Sequence, residues 1–121
     1  MKYYIYANLS LPKSNKYEEG DPSIRLNFTN GEDRIGHAYI SGFDSPNGFL
    51  YNFRIYERFQ DQGYGSDCLE YMLERYRITQ LTVHQSNPKA IHLYEKFGFE
   101  IVDEFNDDNE WYFVMKKEME G

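Results

Sequence analysis

A chain of 121 residues allows one compact domain with a single core, and leaves no room for a separate substrate-binding domain beside it. Thirteen basic against twenty acidic side chains give a net charge of −7, which repels phosphate backbones and argues against a nucleic-acid partner. The aromatic content of 18%, chiefly twelve Tyr and nine Phe, favours a folded β-containing domain over disorder, and the lone cysteine, Cys68, excludes an internal disulfide and a multi-cysteine metal site.

In chain order, Met1 to Leu11 is apolar and aromatic but is interrupted by Asn8 and Ser10 and stops at Pro12. That run is too short for a signal peptide or a membrane span and reads as a first strand, so the cytoplasm is the expected location. A polar stretch, Lys13 to Asp21, follows. Ile24, Leu26 and Phe28 then alternate with Arg25, Asn27 and Thr29 as in a half-buried strand, Asn30-Gly31 opens a turn, and Ile35 to Phe43 returns as the antiparallel partner.

Phe49 to Tyr56 reads as a fourth strand that runs on through Glu57 to Gln62 into Gly63-Tyr64-Gly65. A helix is expected from Ser66, with Leu69, Met72, Leu73 and Tyr76 as its apolar stripe. Ile78 to Val83 is a short strand. Asn87-Pro88 supplies an N-cap and a first-turn proline for a second helix, whose stripe is Ala90, Leu93, Tyr94 and Phe97 and whose stop is Gly98. Phe99 to Val102 and Trp111 to Lys116 read as closing strands joined by an acidic loop, Asp103 to Glu110. The pattern predicts a mixed α/β domain spanning 1–121, with about seven strands, two helices and a mostly antiparallel sheet.

The turn from Gln60 to Gly65, set between a strand and a helix, lets backbone N–H groups approach a diphosphate while the helix N-terminus adds favourable partial charge. On its own it fits a plain tight connection equally well. No Gly-Lys-Ser/Thr follows, which removes a P-loop, and no third glycine, which removes a dinucleotide fold.

Gln60-x-x-Gly63-x-Gly65 resembles the Q/R-x-x-G-x-G/A motif of GNAT acetyltransferases, and Leu81 to Phe99 is similar to that family's L-x-V-x-x-x-N-x-x-A-x-x-L-Y-E-K-x-G-F run. The resemblance covers about Phe49 to Phe99. It implies the GNAT fold with a splayed parallel strand pair, acetyl-CoA as co-substrate without any metal, and transfer of the acetyl group to a primary amine by direct attack. It further implies that Gln60, Gln62, Gly63, Tyr64, Gly65 and Ser66 cradle the pyrophosphate. Phe53 and Ile55 would bind the pantetheine arm, with the Phe53 N–H on the acetyl carbonyl, and Asn87 and Ala90 would lie beside it. Tyr94 would stand near the sulfur as a general acid.

Each of these residues also has a structural role open to it. Asn87 is a good N-cap and Tyr94 lies on the apolar stripe, where a core tyrosine is expected. The glutamates that some relatives carry are replaced here by Phe49 and Thr82. His84, two residues past Thr82 and on the same strand face, is the candidate base, with an ordinary surface histidine as its alternative. Pro12 to Pro22 replaces the usual helix pair beside the acceptor pocket, so that site is expected to be open or completed by a partner chain in a homodimer. Asp61 leaves the phosphate grip to backbone N–H groups. A CoA-binding but catalytically silent regulatory or interaction domain is the alternative function. The acidic run Asp103 to Glu110 is either solvated surface or a negative border that draws in cationic amine acceptors.

Overall fold

The structure, a computed structural model, describes the backbone of residues 6–10 and residues 23–118 in full. The opening of the expected first strand and the polar stretch around 12–22, with the expectation about the acceptor wall, lie outside the described residues.

Among the described residues, seven strands form one sheet: β1 (Tyr6–Ser10), β2 (Ser23–Thr29), β3 (Arg34–Ser41), β4 (Gly48–Ile55), β5 (Ile78–His84), β6 (Glu100–Asp107) and β7 (Glu110–Lys116). Their spatial order is β1-β2-β3-β4-β5-β7-β6. Every neighbouring pair is antiparallel except β4 with β5, which are joined by helix α1 (Tyr64–Arg75) and therefore run parallel. Helix α2 (Pro88–Lys96) carries the chain from β5 over to β6.

The local causes are those the sequence suggests. In β2, Ile24, Leu26 and Phe28 are buried while the residues between them are half-exposed. α1 buries Tyr64, Cys68, Leu69 and Met72 against the sheet, and a side chain such as Leu69 contributes about 1.5–3 kcal/mol on leaving water. At the start of α2 the Asn87 Oδ1 accepts from the Ala90 N–H, with Pro88 in the first turn. At its end, Gly98 at φ +96 lets its own N–H reach Glu95 O and the Phe99 N–H reach Tyr94 O, which satisfies the last carbonyls.

Three boundaries differ from expectation. α1 begins at Tyr64 rather than Ser66, because Gly63 at φ +86 already turns the chain into the helix. The stretch after β4 is not extended but forms a 3₁₀ turn, Glu57–Phe59. The acidic run is not a loop: β6 extends to Asp107 and β7 starts at Glu110, joined by Asp108-Asn109, both at positive φ. A two-residue turn of that hand matches strand twist, and Asp and Asn tolerate it, so charge density alone is a poor guide.

Candidate active site

β4 and β5 pair only at Gly48 with Ile78, Phe49 with Gln80 and Leu50 with Leu81, although the strands continue to Ile55 and His84. The divergence has a local cause on the other side of β4. Between the pairs Tyr39–Tyr51 and His37–Arg54, β4 spends one residue more than β3, and Asn52 sits at φ +49. That bulge bends β4 away from its parallel neighbour. Beyond it, the Tyr56 N–H donates to Ile35 O at 2.9 Å, toward β3. Strand alternation therefore turns the N–H groups of Ile55 and Phe53 to the opposite edge, where β5 no longer pairs.

At the open end of this gap lies the turn before α1. The Gln60 Nε2 donates to Ile55 O at 2.9 Å and the Gln62 Nε2 to Arg58 O at 3.3 Å, so both side chains brace the turn. The first intrahelical bond runs from the Asp67 N–H to Gly63 O, and no side chain caps the helix. The N–H groups of Tyr64, Gly65 and Ser66 are thus without helical acceptors and point out at the positive end of the helix dipole. Tyr64 offers only its N–H: its ring is buried edge-on to Phe59 and its hydroxyl accepts from the Asn30 Nδ2 at 3.1 Å.

α2 closes the other side. The side chain of Asn87 is committed through Oδ1 to its capping bond, and Ala90 is half-buried behind it. Lys89 Nζ meets Asp61 Oδ1 at 2.8 Å and ties the first turn of α2 to the turn before α1. Both partners are more than 70% exposed, so the pair adds at most about 1 kcal/mol, but it neutralises the one acid in that turn. Tyr94 is 3% exposed, and its hydroxyl has no hydrogen-bond partner among the described residues. Burial pushes its phenol well above the ordinary range. An orphaned buried hydroxyl costs about 1–3 kcal/mol unless something pairs with it.

His84 lies on the other face. Leu81 opposite Met115 and Val83 opposite Phe113 point to the helices, so Thr82 with Val114 and His84 with Tyr112 point away. His84 Nδ1 accepts from the Ser86 N–H at 3.0 Å and lies 2.6 Å from Ser86 Oγ, which leaves the proton of the neutral ring on Nε2, 2.5 Å from Glu110 Oε2. The structure sets Phe53, Ile55 and the turn before α1 along the gap, ties α2 to that turn through Lys89 and Asp61, keeps Asn87 at the cap and Tyr94 on the buried side of α2, and puts His84 on the other face of the sheet. No pattern in the sequence signals the Asn52 bulge or the parts played by Glu110, Ser86 and Lys89. Among the described residues, no three metal-ligating side chains cluster, and no helix is long and apolar enough to cross a membrane.

A mixed sheet with one parallel pair that opens beside a bare helix N-terminus is the architecture of the acyl-CoA N-acyltransferases. The sequence pattern of the Acetyltransferase (GNAT) family matches residues 2–99, and the chain belongs to that family. No curated protein sequence matches it. Among solved structures it resembles the ribosomal-protein-S18-alanine N-acetyltransferase from Escherichia coli, at 22% identity and TM-score 0.67, over 85% of this chain and 74% of that one. A GNAT family acetyltransferase from Elizabethkingia anophelis with acetyl-CoA bound is similar at 19% identity and TM-score 0.63, over 80% and 76%. An acetyltransferase from Thermus thermophilus is similar at 21% identity and TM-score 0.60, over 76% of this chain, which spans 62% of that protein's length.

Proposed function

We propose that the chain is a single-domain, cytoplasmic N-acetyltransferase that takes the acetyl group of acetyl-CoA to a primary amine in a ternary complex. The observation that carries this reading is the gap between β4 and β5, whose unpaired β4 edge leads to the N-terminus of α1, a helix start that no side chain caps. The residues present suit the co-substrate: an extended amide chain can pair with Phe53 and Ile55, and a diphosphate can accept from Tyr64, Gly65 and Ser66. The Elizabethkingia structure, with acetyl-CoA bound to the same fold, supports the choice of ligand. Acetyl-CoA supplies an activated thioester, and the chain supplies position and proton traffic.

The Phe53 N–H is a fixed donor for the carbonyl oxygen as charge develops on it. Tyr94, held protonated by burial, donates its proton to the leaving sulfur. The amine arrives from the opposite face, toward His84. Because the Nδ1 lone pair faces Ser86, the ammonium proton passes through the Ser86 hydroxyl to Nδ1, and Glu110 stabilises the imidazolium through Nε2–H. Buried, unpaired Cys68 fits a reducing compartment. The silent-domain alternative rests on the absent glutamates, and the His84–Glu110 pair offers a base in their place. Calorimetry with acetyl-CoA, followed by a screen of amines for release of free thiol, tests the proposal. Binding without thiol release on any amine would select the silent domain, and absence of binding would refute both readings.

A further inference from the structure

On the face of the sheet away from the helices, three guanidinium groups gather around His37. Arg25 comes from β2, Arg34 from the start of β3 and Arg54 from β4. The register sets Asn27 opposite His37 and His37 opposite Arg54, so these side chains share one face. Asn27 Oδ1 accepts from both Arg25 Nε at 2.9 Å and Arg34 Nη2 at 2.8 Å, which holds two like charges on one neutral oxygen. Arg25 Nη1 donates to the Tyr39 hydroxyl at 2.8 Å, and His37 Nδ1 lies 2.9 Å from the Tyr56 hydroxyl. Among the described residues no carboxylate pairs with Arg25, Arg34 or Arg54. What sets this face apart is that three guanidiniums from three strands converge there, two of them on the one Asn27 oxygen. Burial first, and then the charges of Arg25, Arg54 and Arg34, hold His37 below its ordinary range.

The cluster borders the proposed reaction gap, since Arg54 follows Phe53 directly. On the far side of the gap the same face carries the opposite charge. Phe105 pairs with Tyr112 on the His84 face, so Asp103 and Asp107, two residues either side of Phe105, lie there with Glu110. The face is therefore cationic along β2 to β4 and anionic along β6 and β7. Guanidinium forks match the planar or tetrahedral oxygens of carboxylate and phosphate, whereas a polycation would meet repulsion along half of its path.

We infer that the acceptor carries an oxyanion, carboxylate or phosphate, as well as its amine: Arg54, Arg25 and Arg34 hold the oxyanion while the amine points across the gap toward His84. This rests on the acetyl-transfer reading, and two measurements separate the inference from it. The first needs no turnover. The His37 ring resonance, assigned through His37→Gln, is titrated by NMR in inorganic phosphate and in chloride at matched ionic strength. Phosphate should raise its midpoint in the wild type and leave it unmoved in the doubly substituted Arg25→Gln, Arg54→Gln protein. The second compares KM for alanine against alaninamide and for phosphoethanolamine against ethanolamine, which separates carboxylate from phosphate recognition. At least one anionic acceptor should have a KM about tenfold below its neutral partner, and Arg54→Gln should remove the difference with kcat nearly kept. A His37 midpoint blind to phosphate, or equal KM values within both pairs, overturns the inference. If phosphate moves His37 while no amine is acetylated, the acetyl-transfer reading falls and the oxyanion site stands.

Discussion

His84, the last residue of β5, and Glu110, the first of β7, meet side chain to side chain at 2.5 Å on the face of the sheet away from the helices. The two side chains are 34% and 57% exposed, so their pairing contributes less than about 1 kcal/mol to stability. Removing it should therefore show in turnover and not in folding. His84→Gln and Glu110→Gln are each expected to lower kcat/KM about tenfold, and the double variant no further, as for two members of one relay. Steady-state kinetics with thermal unfolding checks this, and independent multiplicative losses would separate the two residues.

Tyr94→Phe should lower kcat at least about tenfold, because the ring still packs against Phe99 but carries no proton to give. Acetyl-CoA affinity should stay nearly unchanged. Since the hydroxyl is buried without a partner among the described residues, its loss should leave the free protein as stable as before, or more stable by about 1 kcal/mol. A variant with full turnover would remove Tyr94 from the chemistry and return it to the core.

The pattern of elements is legible in the sequence because it rests on short-range physics. The alternation in β2, the Asn87-Pro88 start and Gly98 stop of α2, and the glycine-bounded turn before α1 each act within a few residues. The acidic hairpin reads wrongly because five carboxylates in eight residues resemble a solvated loop, while the feature that decides is the left-handed backbone of Asp108 and Asn109. The bulge at Asn52, the pairing of His84 with Glu110 across 26 residues and that of Lys89 with Asp61 across 28 are set by register between distant segments. No local pattern encodes such register, so the sequence points to His84 but not to the residues that orient it.

Cys68 gives the pH dependence a definite sign. Burial, and secondarily the charge of Asp67, pushes its thiol up to about 12 from an ordinary 9.0. Between those values the unfolded thiol releases its proton and the native one keeps it, so the unfolded state binds fewer protons and stability falls as pH rises. The contribution is at most about 1.4 kcal/mol per pH unit, and raised Tyr94 adds a loss of the same sign at more alkaline pH. Urea midpoints measured from pH 8 to 11 should decline, less steeply in Cys68→Ala. The native thiol should also resist a disulfide reagent until the chain unfolds. Prompt labelling of the folded protein at pH 8 would contradict the burial.

Three glycines test whether the gap and the turn before α1 are separable. A Cβ at Gly36 would collide with the carbonyl oxygen of Arg54, which is backbone within the bulged part of β4, so either strand must move. At Gly63 a Cβ meets nothing within 4 Å, but φ is +86, so a substituent there is strained without touching a neighbour. At Gly65 a Cβ would make ordinary contacts, 3.5 Å from Leu93 Cδ2 and 3.9 Å from Ile55 Cγ1. Gly36→Ala should therefore cost about 1–3 kcal/mol as overpacking and weaken acetyl-CoA binding by shifting the edge that carries Phe53 and Ile55. Gly63→Ala should cost about 1–2 kcal/mol and weaken binding through the cradle alone. Gly65→Ala should fold as well as the wild type, with a helix-propensity gain of up to about 1 kcal/mol. Thermal unfolding and calorimetry on all three decide the matter: wild-type affinity in a folded Gly36→Ala protein would show that the β4 edge beyond the bulge does not hold the ligand.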